Sequence, residues 1–75
     1  NPTAEILYSV DRISPITIQV YDLSGKLIKT LVDKKSHSPG VYSVFLEAEH
    51  MPSGSYFVNL HTEGKRINRK ITVVK

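Results

Sequence analysis

The chain has no cysteine and no tryptophan, a single methionine and two phenylalanines. Without cysteine there is no disulfide, no thiolate zinc site and no thiol nucleophile. Such a chain either belongs to a reducing compartment or needs little stability where it works. Length is also short. Its 75 residues leave room for one domain with one thin core, and a core of that size supplies about 3–5 kcal/mol. No apolar run approaches the roughly 20 residues of a membrane span, and no charged-then-apolar stretch opens the chain as a secretory signal would. Membrane insertion is therefore not expected. Strong charge of one sign is lacking as well: ten Lys and Arg against seven Asp and Glu give +3. The one cluster is Lys65, Arg66, Arg69, Lys70 and Lys75. Nucleic-acid binders concentrate more charge on a face with stacking aromatics, so a nucleic-acid partner is not expected either. The chain starts at Asn1 rather than methionine, and we expect a piece of something longer.

What is present is alternation with period two, the pattern of strands with one wet face. No segment sustains helical periodicity. The first run, Glu5–Val10, sets Ile6, Tyr8 and Val10 on one face, and Asp11 to Pro15 turns the chain. The second, Ile16–Tyr21, points Ile16, Ile18 and Val20 inward and Thr17, Gln19 and Tyr21 outward. Asp22-Leu-Ser-Gly25 then reads as a tight turn, with Asp22 capping its backbone and Gly25 taking positive φ. In the third run, Lys26–Val32, the residues Leu27, Ile28, Leu31 and Val32 have a spacing that a short helix also uses; a strand is the preferred reading. Asp33–Ser38 is expected to be a polar loop ended by Pro39-Gly40.

The fourth run, Val41–Glu47, aligns Tyr42, Val44 and Leu46, and the fifth, Ser55–His61, aligns Tyr56, Val58 and Leu60 after the Met51-Pro-Ser-Gly54 corner. Thr62-Glu-Gly64 makes a turn before Ile67–Val74, where Ile67, Ile71 and Val73 align. Six or seven short strands at this spacing predict an all-β fold, an antiparallel β-sandwich or a small barrel. Val20, Val44, Val58 and Ile71 are expected to be largely buried.

The residues that carry chemistry elsewhere are dispersed. His37, His50 and His61 stand 13 and 11 residues apart and read as solvated surface histidines rather than a metal site. Ser and Thr are plentiful, but no nucleophile elbow or His–Asp pairing is suggested, so no catalytic residue is assigned. Glu47 and Glu49 read as a wet strand edge, not as a calcium or acid–base pair. Gly25, Gly40, Gly54 and Gly64 fall in four separate turns and cannot form one phosphate-cradling loop. Of the tyrosines, Tyr8, Tyr42 and Tyr56 fall on inward phases and read as core. No cofactor and no metal are expected.

Four segments in order carry a family resemblance: Asn1-Pro2, Tyr21-Asp-Leu-Ser-Gly-Lys26, Pro39-Gly-Val-Tyr42 and Pro52-Ser-Gly-Ser-Tyr-Phe57, followed by the Gly64 turn and a basic, apolar tail. Together they resemble the type IX secretion (Por) C-terminal sorting domain, type A, over essentially the whole chain. The immunoglobulin-like domain of flagellar hook-capping proteins shares part of the pattern. Two departures stand out. The family often has an aromatic soon after Asn-Pro, where this chain has Thr3-Ala4, and often a tryptophan in the fourth strand, where it has Phe45-Leu46. Leu46 with Tyr42, Tyr56 and Phe57 is expected to replace the indole volume.

The resemblance implies an immunoglobulin-like sandwich at the C-terminus of an exported protein, with the export signal lying elsewhere in that protein. It implies a non-catalytic address label carried through the periplasm to the cell surface or beyond, in Bacteroidetes-type bacteria. The implied partners are the outer-membrane machinery, namely a translocon or shuttle barrel and a sortase-like peptidase. A label read once and discarded needs no disulfide staples.

We assign translocon recognition to Gly64, Lys65, Arg69, Lys70, Ile71, Val73 and Lys75. Structural turn roles fall to Asp22, Gly25, Pro39, Gly40, Gly54 and Tyr56. The basic tail also fits a charge-protected edge strand, or a contact with anionic lipid or polysaccharide. A homodimer through edge strands is a further expectation. A retained accessory or adhesion sandwich on an extracellular enzyme, binding carbohydrate, is the alternative to the sorting role.

Overall fold

The computed structural model of the chain describes residues 3–75, so the Asn1-Pro2 segment lies outside the described residues. Six strands follow in order: β1 (Thr3–Val10), β2 (Ser14–Asp22), β3 (Leu27–His37), β4 (Gly40–Glu47), β5 (Gly54–His61) and β6 (Arg66–Val73). No helix occurs among the described residues. The strands form two antiparallel sheets, one of two strands in the order β1-β4 and one of four in the order β3-β2-β5-β6. This is an all-β sandwich of the immunoglobulin-like kind.

Alternation decides the inner faces. Ile16, Ile18 and Val20 of the central strand β2 are fully buried, and Tyr56, Val58 and Leu60 of β5 lie beside them. Val73 extends this floor, and Val10 and Leu46 press on it from the smaller sheet. Ala48 and Met51 close one end, where the Met51 N–H donates to the Ala48 carbonyl at 3.1 Å. Sequence reading overlooked these two because they sit in a corner outside any alternating run. Of the four residues expected in the core, Val20 and Val58 are buried, whereas Val44 and Ile71 are half-buried. The cause is geometric: two strands cannot cover four.

The β2–β3 hairpin closes as its sequence predicts. The Asp22 carboxylate accepts from the Ser24 N–H at 2.9 Å, the Ser24 hydroxyl at 2.7 Å and the Lys26 N–H at 3.0 Å. Gly25 takes φ +89°, where a side chain would be strained. The Ser24 hydroxyl first, and then the Lys26 N–H, hold the Asp22 carboxyl below the ordinary aspartate range. A lowered folded-state pKa stabilises the fold above the unfolded value, and the contribution is lost as pH falls through the folded value. Asp22→Asn should therefore flatten the loss of stability below about pH 4, read as urea midpoints against pH. An unchanged acid limb would remove Asp22 from the account.

β3 departs from expectation. Asp33–Ser38 is not a loop, because pairing with β2 continues to His37 opposite Ser14. Register shifts along β2–β3 insert extra residues into β3, and Lys34 sits at φ 49° with its N–H donating to the Thr17 hydroxyl at 3.2 Å. Bulges let a polar run follow an edge without regular alternation. They also explain the helix-like spacing upstream: Ile28, Leu31 and Val32 all reach the core because the strand changes phase between them.

Candidate functional site

The β5–β6 hairpin carries the residues assigned to recognition. Its turn is closed by the Thr62 N–H donating to the Lys65 carbonyl at 2.9 Å and the Lys65 N–H donating to the Thr62 hydroxyl at 3.0 Å, with Gly64 between. Lys65 also meets Asp11 at 3.6 Å, an exposed pair that ties this turn to the β1–β2 connection and contributes under about 1 kcal/mol. Strand β6 pairs with β5 alone and forms one edge of the four-stranded sheet.

Alternation divides the basic cluster. Lys70 lies opposite Phe57 and Arg66 opposite His61, both on the outer face. Arg69 lies opposite Val58, Ile71 opposite Tyr56 and Ile67 opposite Leu60, which puts these three on the inner face. Val73 is buried, Ile71 is half-buried, and Arg69 is exposed. Lys75 lies beyond the strand, its N–H donating to the Ser53 hydroxyl at 3.1 Å and its ammonium to the Glu49 carbonyl. The hairpin thus gathers Gly64, Lys65, Arg69 and Lys70 along one edge but leaves Val73 inside the core.

Two sheet-to-sheet crossings share a clamp. After β3, the Tyr42 hydroxyl donates to the Ser38 carbonyl at 2.5 Å; after β4, the Tyr56 hydroxyl donates to the Pro52 carbonyl at 2.5 Å. In each case the third residue of the new strand reaches four residues back into the turn, as in the tyrosine corner of immunoglobulin-like domains. The Pro39-Gly40 and Gly54 turns are what bring these carbonyls within reach.

Beside the first crossing lies a cluster that sequence reading missed. His37 is buried, not a solvated surface histidine. Its Nδ1 is 2.8 Å from the Lys35 carbonyl, so Nδ1 carries the proton, and in the neutral ring Nε2 then accepts from the Tyr8 hydroxyl at 2.8 Å. The Tyr42 ring stands edge-on to His37 with centroids 4.6 Å apart and stacks on Tyr8 at 5.6 Å. Burial first, and the neighbouring Tyr42 phenol second, raise the Tyr8 pKa above its ordinary value. An open cleft of about 830 Å³ borders these rings, but their polar atoms bond within the fold. The other histidines are dispersed: His50 is exposed, with Glu49 3.8 Å away, and His61 is half-buried on the outer face. Among the described residues no group of His, Asp and Glu is placed to hold a metal ion.

Phe57 is also corrected. It falls on the outer phase of β5 and is half-buried there, so it does not replace the missing indole. Leu46, 1% exposed, fills the inner position of β4, while Phe45 points outward.

Comparison with protein families finds a match over residues 1–74 to the secretion system C-terminal sorting domain. The chain belongs to this family. No curated protein and no solved structure matches it. The family motifs of this sorting domain acquire physical meaning in the fold. Tyr21–Lys26 is the Asp22-capped hairpin, and Pro39–Tyr42 and Pro52–Tyr56 are the two tyrosine-clamped crossings. As a type IX C-terminal sorting domain, the chain acts with secretion machinery to export its parent protein to the cell surface or extracellular space.

Proposed function

We propose that this domain is a non-catalytic label, read after its parent has reached the periplasm, that takes the parent across the outer membrane. Its reader is an outer-membrane translocon or shuttle barrel, and a sortase-like peptidase acts afterwards. The observation that carries the reading is the family match over residues 1–74. The recognition surface is the final hairpin: Gly64 in the turn, Lys65, Arg69, Lys70 and Lys75 as the charged frame, and Ile71 with Val73 as the apolar phase. Support comes from the free edge of β6, which can take a partner strand through backbone hydrogen bonds. Exposed charge guides approach and orientation.

The test is the double variant Arg69→Glu with Lys70→Glu, in which both replaced side chains are exposed. It should fold like the parent, as seen by circular dichroism and melting, yet slow appearance of cargo outside the cell. Export of the folded double variant at the parental rate would move the signal elsewhere. Copies also pair through an edge, and β4 has no lysine, proline or register shift to prevent it. Sedimentation at millimolar protein tests this; a strictly monomeric mass is the contrary result.

A further inference from the structure

The smaller sheet leaves one strand position open. β1 pairs with β4 on one side and with no strand on the other among the described residues, and residues of β5 and β6 line a groove together with it. The groove, of about 260 Å³, has Ile6 and Tyr8 as its wall, Leu60, Ile67 and Ile71 as its floor, and Arg69 between the two isoleucines. Burial falls along the inner phase of β6 from Val73 at 6% exposed to Ile67 at 39%. Arg69 therefore projects from the core face of a sheet into an apolar groove. Its one hydrogen bond is to the neighbouring Asn68 carbonyl at 3.3 Å, and no carboxylate pairs with it among the described residues.

A guanidinium beside apolar floor residues and an unpaired strand edge defines a complementary ligand. The geometry points to an extended segment of a partner protein that adds to the free edge of β1 and sets a carboxylate, flanked at i−2 and i+2 by apolar side chains, against Arg69, Ile67 and Ile71. Backbone hydrogen bonds to β1 hold the segment, and alternate side chains enter the groove. The carboxylate meets the guanidinium as a charge-assisted, two-pronged hydrogen bond. A second copy of this chain fits less well. The inner phases of β1 and β4 carry Ala4, Ile6, Tyr8 and Val10, and Tyr42, Val44 and Leu46, while Glu5 and Glu47 point outward. Neither strand offers an inward carboxylate. The groove shares Arg69 and Ile71 with the proposed recognition surface, but the inference does not rest on that reading and is tested without secretion.

The probe is a synthetic peptide built on Val-Thr-Glu-Thr-Val, compared with one in which Glu is replaced by Lys, each titrated into the 75-residue chain. The Glu peptide should shift the amide resonances of Ala4–Val10 and slow their hydrogen exchange, and the Lys peptide should bind about tenfold more weakly or not at all, about 1.4 kcal/mol. Arg69→Glu should reverse the preference, whereas Arg66→Glu, on the opposite face of the same strand, should leave it unchanged. Equal binding of both peptides, or no response of β1 at millimolar peptide, overturns the proposal. So does binding that emerges after Arg69→Thr regardless of peptide charge, which would make Arg69 a guard against pairing. Protection of β1 that rises with protein concentration in the absence of peptide would give the groove to a second copy.

Discussion

Ile18→Ala should abolish the cooperative unfolding transition of this domain at ambient temperature. Ile18 is fully buried at the middle of β2, paired with Val32 on one side and Leu60 on the other. Cutting a buried isoleucine to alanine costs about 2–5 kcal/mol, because the lost transfer energy is joined by the cavity left behind. The whole domain holds about 3–5 kcal/mol, with no disulfide to restrain its unfolded chain. The two quantities are of one size, so the outcome is unfolding rather than a lowered melting point. Ile18→Val removes a single methylene, costs about 0.5–1.5 kcal/mol, and should restore a cooperative transition. Urea titrations followed by circular dichroism separate the cases. An alanine variant that melts with its parent would mean that β2 is not the centre of the core.

The second large effect is expected at His37. Replacing it with alanine removes a buried ring packed between Tyr8 and Tyr42, and deprives the Tyr8 hydroxyl of its acceptor. The packing loss and the orphaned hydroxyl together should cost about 2–3 kcal/mol. A double-mutant cycle with Tyr8→Phe isolates the hydrogen bond, and its coupling should be about 0.5–1.5 kcal/mol. If His37→Ala leaves the urea midpoint unchanged, the histidine is solvated, as a reading of the sequence would have it.

That contrast shows where the sequence was legible. β2 and β5 could be read because each alternates strictly and each lies between two paired neighbours, so inner residues are buried and outer ones half-covered. The turns could be read because Asp22, Gly25, Pro39-Gly40 and Pro52-Ser-Gly54 have local backbone roles. β3 resisted for the opposite reason. Its register shifts break the period, so Asp33–Ser38 looks like a loop and His37 within it cannot be phased from its neighbours. Burial at Ala48 and Met51 depends on how a corner folds back over the core, which leaves no periodic trace. The basic tail read as one cluster because composition is blind to sheet face. Pairing with β5 is what separates inward Arg69 from outward Lys70.

The order of strands has a kinetic consequence. β2 joins β3 through a local hairpin, but its other neighbour is β5, with Val20 against Val58, and β1 finds its partner in β4, with Ile6 against Val44. Pairings this distant in sequence pay loop-closure entropy before they return any contact energy, and folds dominated by them form in roughly milliseconds to seconds. During synthesis the β2–β3 hairpin has its turn early, yet the other edge of β2 stays unpaired until residues 54–61 arrive. A chain interrupted before β5 lacks Tyr56, Val58 and Leu60 of the core and the strand that joins β2 to β6, so a truncated parent protein carries an incomplete sorting domain.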